Sequence, residues 1–181
     1  TVGVRWVGAL PAHLDYNTEM AWQTGSLAAD DVRAWAGHWQ LRGTLTKKYA
    51  VRATGEFNHA SGDANPQDGK RQTFDQLYPT GHDKYGLADQ VGWRNIRHLR
   101  AGLEVTPKKG LVVSGGYHAF WLANTHDAFY NAAGAVLARV ASGVADSRVG
   151  DELDVQAVYA VSPQVSVGGG YAHIMPGAFL K

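Results

Sequence analysis

The sequence predicts an all-β protein: an antiparallel up-and-down transmembrane β-barrel, present here as a fragment of about eight strands with two long extracellular loops. Two observations predict this class. Apolar and polar residues alternate with a period of two over stretches of about ten residues, which is long enough for a tilted strand to cross a bilayer. Short and long connections alternate along the chain, as they do when tight turns lie at one end of a barrel and loops at the other.

The clearest hairpin covers 96–122, with a tight, wholly non-apolar turn at 107–110. Leu99 and Leu103 fall on one face, whereas Arg100 and Glu104 fall on the other, because successive side chains of a strand point to opposite faces. Strands of the same kind are predicted at 2–9, 14–23, 32–43, 49–59, 148–161 and 165–174. Short turns are predicted at 10–13, 44–48, 107–110 and 162–164, and longer connections at 24–31, 60–95 and 123–147, with a possible short helix at 132–140.

Composition narrows the class of protein further. Charged residues make up 18% of the chain, below the roughly 25% of soluble domains. The net charge is +1, which gives no reason to expect a nucleic-acid partner, and the absence of cysteine excludes disulfides and thiolate metal sites. No apolar run approaches the ~20 residues of a membrane helix. No signal peptide is visible, so we expect either a mature chain or one that begins within a longer protein, and we expect no cofactor.

The polar faces of the predicted strands define a candidate lumen. A charge that faces lipid costs roughly 2–4 kcal/mol at mid-membrane, so the charged face is expected to face water. Both signs of charge occur, which leaves two interpretations open: an arginine-rich path for anions, or cross-strand ion pairs that stiffen the wall. The candidate lumen residues are Arg5, Asp15, Glu19, Arg33, Arg52, Glu56, Arg100, Glu104, His118, Glu152 and Asp154.

The longest predicted loop, 60–95, is too apolar for a purely solvated segment, and a constriction folded into the lumen is one interpretation; a mobile surface loop is the other. Its apolar residues are Phe74, Leu77, Tyr78, Tyr85 and Trp93. The loop also contains Asp63, Asn65 and Asp68, which faintly resemble a calcium-binding loop. Their spacing does not match that pattern, and a turn-rich loop is the alternative, so no metal site is predicted.

Three segments resemble the alginate export family of outer-membrane β-barrels: 74–96, 116–136 and 168–181. The similarity extends from about residue 14 to the end of the chain. It implies a single β-barrel domain over 1–181 that forms the C-terminal part of a barrel with many more strands, so we expect an open sheet with unpaired first and last strands. It also implies a channel in the bacterial outer membrane for an anionic or polar solute such as a polyuronate or oligosaccharide, with outer-membrane lipid and periplasmic export proteins as the expected partners.

Two other classes of protein stay open at this stage. A soluble barrel that binds an apolar ligand would use the aromatic residues as core, although the many glycines and alanines disfavour such a core. An outer-membrane enzyme would need a serine and a histidine within hydrogen-bond reach on adjacent strands. Ser114 and His118 share a face but lie four residues apart, about 13 Å along a strand. We therefore predict no catalytic residue.

Overall fold

The computed structural model describes residues 1–78, 84–140 and 142–181, and its main feature is one antiparallel sheet of eight long strands. These strands pair in the order β1-β2-β3-β4-β6-β7-β10-β11, so each long strand lies beside the long strands that precede and follow it in sequence. Their bounds are β1 Val2–Leu10, β2 Leu14–Leu27, β3 Asp30–Thr46, β4 Val51–Ala60, β6 Ile96–Lys108, β7 Leu111–Leu122, β10 Arg148–Ser162 and β11 Val165–Pro176.

Three short strands belong to the loops. β5, Lys70–Arg71, lies parallel to the start of β3. β8, Phe129–Tyr130, and β9, Val136–Ala138, form a small separate hairpin. The helix considered for 132–140 is therefore wrong: Gly134 adopts a left-handed conformation (φ +82°), and its amide donates to the Asn131 carbonyl in a turn that directs β9 back onto β8.

The longer connection predicted at 24–31 is also wrong. β2 and β3 stay paired in continuous register as far as Leu27 opposite Asp30, which leaves a two-residue turn. Ala28 supplies the positive φ (+54°) that such a turn requires. The polar composition of this segment suggested a loop, but backbone pairing to the neighbouring strand outweighs the weak strand propensity of those residues. The two remaining loops, 61–95 and 123–147, leave the same end of the sheet.

The two faces of the sheet differ sharply. On one, which we call the apolar face, large hydrophobic side chains are exposed along every long strand; Leu103 is 49% exposed, Val155 50% and Tyr171 66%. The opposite face, which we call the loop face, carries the polar side chains, and both loops pack on it. Glu56 and Glu152 on the loop face are only 4% and 1% exposed. The predicted period-two alternation is thus confirmed.

A hydrophobic core lies between the loops and the loop-bearing end of the sheet. Ile96 and Leu122 contribute to it from β6 and β7, and Phe74, Tyr85 and Phe129 from the loops. The other apolar residues noted in the first loop behave differently, since Trp93 is half-buried while Leu77 and Tyr78 are exposed. The sheet does not close on itself: among the described residues, β1 and β11 are each paired on one side only.

Placing an arginine on each face in turn tests this assignment. We expect Leu103→Arg to lower the free energy of unfolding in lipid by about 2–4 kcal/mol, because the cation would face acyl chains. We expect Ser114→Arg, on the loop face opposite Glu104, to change it by well under 1 kcal/mol. Urea unfolding of the full-length protein in vesicles measures both values, and equal costs would contradict the assignment.

Candidate functional site

The structure places all but one of the predicted lumen residues on the loop face, as the strand register shows. Arg5 lies opposite Glu19, Arg52 opposite Glu104, and Glu56 opposite Arg100. The face continues across β7 and β10 with three further residues that are almost fully buried. The ten predicted residues on this face are Arg5, Asp15, Glu19, Arg52, Glu56, Arg100, Glu104, His118, Glu152 and Asp154.

Arg33 is the exception, and its predicted placement in the lumen is wrong. It lies opposite Thr24, one residue out of phase with the buried Ala34, and therefore on the apolar face. Its side chain is 63% exposed, and the guanidinium forms an ion pair with Asp31 at 3.3 Å, close to the loop-bearing end of β3. A charge at the end of a strand reaches the interfacial layer, so this position does not carry the cost of a charge at mid-membrane.

Arg42 is the arginine that sequence reasoning missed on this strand. It lies opposite Asp15 on the loop face, nine residues and therefore an odd number of steps from Arg33. Together with Arg52 and Arg100 it lines a small cleft of about 40 Å³ on the half of the loop face that the loops leave uncovered. Assigning the two faces of β3 from its buried alanines would have placed Arg42 on the loop face.

Cross-strand ion pairs join several of these charges. Arg100 Nη1 lies 3.5 Å from Glu56 Oε2, and Arg52 Nη1 lies 3.7 Å from Glu104 Oε1. The Glu56 carboxylate also accepts hydrogen bonds from Asn58 Nδ2 (2.7 Å) and Gln40 Nε2 (3.1 Å), so this buried anion is well compensated. The two interpretations of the charged face are therefore compatible, because the ion pairs of Arg52 and Arg100 stiffen the wall, while the side chains of Arg42 and Arg52 remain exposed to solvent.

Part of the first loop crosses the loop face, and we call its residues 84–93 the strap. The backbone N–H of Ala88 donates to Glu152 Oε1 (2.8 Å) and that of Leu87 to Asp154 Oδ2 (3.1 Å). The ring of Tyr85 packs edge-on against His98, with the ring centroids 5.5 Å apart. Burial, together with the nearby carboxylates, raises the pKa of the Tyr85 phenol well above its usual range.

Gly86 is required for the close approach of the strap to β10. Its φ of +94° lies in the left-handed region, and a Cβ added there would lie 2.4 Å from the Glu152 carboxyl carbon. Farther toward β2, the Gln23 side chain holds the first loop by two hydrogen bonds, accepting from the Asp75 amide (2.8 Å) and donating to the Asp75 carbonyl (2.7 Å). The loop is therefore anchored at both sides of the sheet, by β2 and β10.

Two buried residues join the loops to each other. Asp127 Oδ2 accepts from the Asp63 amide (2.8 Å) and the Thr73 hydroxyl, and Asp127 Oδ1 accepts from the Tyr130 hydroxyl (2.7 Å). Burial and this bond to a carboxylate raise the pKa of the Tyr130 phenol. Asn95 donates to the carbonyls at positions 124 and 128 and accepts from the amide at 124. Both residues were missed from the sequence, where they stand in segments without periodicity.

The segment that faintly resembles a calcium-binding loop forms a series of turns. Asp63, Asn65 and Asp68 each accept a hydrogen bond from a backbone amide two residues later, at 3.0, 3.1 and 2.9 Å. Their side-chain oxygens thus stabilise local Asx turns. Among the described residues there is no group of three or more His, Asp or Glu positioned to hold a metal ion.

The described hydrogen bonds include none between a serine hydroxyl and a histidine ring, which is the pair that the enzyme hypothesis requires. In the same parts of the chain, no helix is long and apolar enough to cross a membrane. The histidines, which looked scattered in the sequence, include three that meet on the loop face: His38, His98 and His118.

Removing one hydrogen-bond acceptor from the Asp127 side chain tests whether this residue holds the two loops together. In Asp127→Asn, the side-chain NH₂ would replace Oδ2 and face the N–H and O–H groups that donate to it. Buried donors that are left without an acceptor cost about 1–3 kcal/mol each. We expect faster amide hydrogen exchange in 61–75 and 126–139, with little change in β6 and β7. Asp146→Asn is the matched control, since Asp146 accepts from the Arg148 amide at an exposed site. Equal exchange rates in both variants would contradict this role.

Comparison with known families agrees with this geometry. The family model described as alginate export matches residues 1–181. The chain belongs to the alginate export family. No curated protein sequence matches the chain.

Membership fixes the broad biological class. The alginate export family is a family of outer-membrane transport proteins rather than enzymes, and its members are export channels. The all-β sheet of eight long antiparallel strands, apolar on one face and polar on the other, is the architecture that such an outer-membrane β-barrel requires. The suspected resemblance and the predicted fold class are therefore confirmed.

Proposed function

We propose that this protein of the alginate export family forms a channel in the bacterial outer membrane for an anionic or polar saccharide-like solute, such as a polyuronate. The observation that carries the proposal is the contrast between the two faces of the sheet. The apolar face is suited to acyl chains along its whole width, whereas the loop face carries ionic side chains that need water. The loop face would be the wall of the lumen.

The eight strands would form part of a larger closed barrel. A sheet edge leaves backbone N–H and C=O groups unpaired, and such groups are too costly in lipid, so membrane-spanning sheets close. β1 and β11 each present an edge of this kind within the described residues. In the intact barrel, further strands would pair with both edges and complete the lumen as one domain.

The arginine cleft gives the proposed path its preference for anions. Arg42, Arg52 and Arg100 lie together on the loop face, and guanidinium groups can bind carboxylates through two parallel hydrogen bonds. The exposed side chain of Arg42 is available to a passing polyanion. Arg52 is also exposed, although Glu104 lies 3.7 Å from it, whereas Arg100 is engaged by the buried Glu56. We infer that the site favours weak, repeated contacts, which allow a long solute to move on.

The strap would narrow the path at the loop-bearing end of the barrel. It is held against β10 by Glu152 and Asp154, and a second cleft of about 410 Å³ lies between the first loop and β1–β4. That cleft is lined by Arg5, Glu19 and the aromatic side chains of Phe74, Tyr85 and Trp93, among others. A solute would pass this aromatic and polar surface before or after the arginine cleft. Outer-membrane lipid and periplasmic export proteins are the partners that fit this role.

Electrical recording of the full-length protein in planar bilayers tests the proposed function. We expect stable, anion-selective channels whose current is reduced by added polyuronate on either side. An uncharged polysaccharide of similar length is the control and should reduce the current less, because it lacks carboxylates. A protein that forms no channel, or a channel indifferent to the polyanion, would contradict the proposal.

A further inference from the structure

Seven side chains from seven strands of the loop face form one continuous series, which we call the histidine network. Hydrogen bonds join the first six side chains, and an ion-pair contact joins the sixth, His118, to Asp154. The central members are almost fully buried, and His98 has no exposed surface. From β1 to β7 the donor–acceptor distances are Arg5 Nε–Asn17 Oδ1 3.0 Å, Asn17 Nδ2–His38 Nε2 3.4 Å, His38 Nδ1–Asn58 Oδ1 2.7 Å, Asn58 Nδ2–His98 Nδ1 3.0 Å and His98 Nε2–His118 Nδ1 3.0 Å. At the β10 end, His118 Nε2 lies 3.3 Å from Asp154 Oδ2, an ion-pair distance.

The two ends of the histidine network and its middle fix the direction of every bond. Arg5 can only donate, and the Asp154 carboxylate can only accept. In the middle, Asn58 Nδ2 also donates to Glu56 Oε1, which fixes the orientation of the Asn58 amide. His38 Nδ1 must then donate to Asn58, and His98 Nδ1 must accept from it. In this pattern His98 and His118 each carry one N–H and are neutral.

This closed arrangement has no place for an additional proton on an imidazole. A proton on His118 Nδ1 would face the N–H of His98, which is 3.0 Å away. Changing the tautomer of His98 only moves the conflict, because its Nδ1–H would then face the NH₂ group of Asn58. Since one end is a permanent donor and the other a permanent acceptor, every such rearrangement leaves two donors facing each other.

The neighbouring charges do not remove this conflict. The Glu56 carboxylate is already engaged by Asn58, Gln40 and Arg100. Asp154 Oδ2 already accepts from the Leu87 amide, and it faces Nε2 of His118 rather than Nδ1, where the added proton would lie. Arg100 adds a positive charge on the same face, which further disfavours an imidazolium. The titratable and charged groups around His98 and His118 are His38, Glu56, Tyr85, Arg100, Glu152 and Asp154.

The strap rests directly on this network. Tyr85 packs against the His98 ring, and Leu87 donates to the same Asp154 oxygen that lies 3.3 Å from His118 Nε2. A rotation of either histidine ring that relieves the donor–donor conflict would disturb both contacts. With the strap detached, lumen water could hydrate two imidazolium groups that the closed structure keeps dry.

We propose that the histidine network makes the strap an acid-sensitive gate, closed at neutral pH and released on acidification. At His98 and His118 the closed state binds fewer protons than the released state, so by linkage these two groups favour release in acid and closure at higher pH. The change begins as the pH falls through about 6.5, where a hydrated imidazole binds its proton. Each additional proton shifts the released-to-closed ratio about tenfold per pH unit.

A nitroxide label on the strap measures this release without any solute, so the test is independent of the proposed transport function. Gln90 is exposed, and the 181 residues contain no cysteine, so Gln90→Cys introduces a single labelling site within them. The labelled full-length protein is reconstituted in lipid vesicles, and its electron paramagnetic resonance spectrum is recorded from pH 8 to pH 5. We expect a reversible increase in label mobility below about pH 6.5.

Four further proteins decide the cause. Glutamine can accept and donate hydrogen bonds as a neutral imidazole does, but it does not titrate. The double variant His98→Gln/His118→Gln should therefore abolish the transition, and each single variant should make the transition less steep. His126→Gln, at an exposed loop position, should behave as the wild type. An unchanged wild-type spectrum across the range, or a normal transition in the double variant and both single variants, would overturn the proposal.

Discussion

The conductance of the full-length channel rises when Gly86 is replaced by alanine, because the strap no longer lies against β10. The substitution adds a Cβ that would lie 2.4 Å from the Glu152 carboxyl carbon, at a residue with φ +94°. Moving the strap away breaks the hydrogen bonds from Leu87 and Ala88 to carboxylates, which contribute about 1.5–3 kcal/mol each. A net change of about 3 kcal/mol shifts the released-to-closed ratio roughly 100-fold.

Gly69→Ala is the matched control for this prediction. Gly69 also has a positive φ (+73°), but a Cβ there would meet nothing within 4 Å. The control therefore carries the backbone strain of a non-glycine residue without the clash with the sheet. Single-channel recording at neutral pH should show a higher conductance for Gly86→Ala than for Gly69→Ala or the wild type. Equal conductance in all three proteins would mean that the strap does not narrow the path.

Reversing two charges in the arginine cleft should convert an anion-selective channel into one that prefers cations. In Arg42→Glu/Arg52→Glu the local charge changes by four units. A unit charge about 7 Å from an ion contributes roughly 0.6 kcal/mol in water, and about half of that survives screening at 0.1 M salt. The sum is about 1 kcal/mol, or roughly a fivefold change in the local concentration of anions.

Arg33→Glu separates this local effect from a change in the charge of the whole protein. Arg33 lies on the apolar face near the loop-bearing end of the sheet, so the same type of substitution there should leave selectivity almost unchanged. Reversal potentials in a salt gradient measure the selectivity of all three proteins. The change in selectivity is compared for each unit of charge that is altered. If this change is as large in Arg33→Glu as in Arg42→Glu/Arg52→Glu, the loop face is not the wall of the path.

The sequence predicted the strands well because their pattern has a physical cause. Wherever one face meets an apolar medium and the other water, the alternation is regular, as along 96–122, and strand bounds and faces follow from it. The pattern failed on β3, where Ala34 and Ala36 occupy the buried positions and Arg33 the apolar face. Alanine carries too weak a hydrophobic signal to set the phase of a strand.

The site was only partly predictable, since its key contacts join residues distant in sequence. The charged lumen residues could be chosen from alternation alone. The strap could not, because its bonds run from backbone amides near position 87 to Glu152 and Asp154, and no periodicity marks such a pairing. The histidine network depends on the relative register of seven strands, so His98 and His118 appear unrelated in the sequence although their rings lie 3.0 Å apart at the nearest nitrogens.

Which face meets lipid is the point on which the channel, the strap and the arginine cleft all depend, and nitroxide accessibility measures it most directly. Labels are placed singly along β6 and β7 of the full-length protein in lipid bilayers and exposed to oxygen, which concentrates in lipid, or to a polar nickel chelate. We expect labels at Ala101, Leu103 and Val105 to respond mainly to oxygen, and labels at Gly102, Glu104 and Ser114 mainly to the chelate. The opposite pattern, or the same response at every position, would contradict a lumen lined by the loop face.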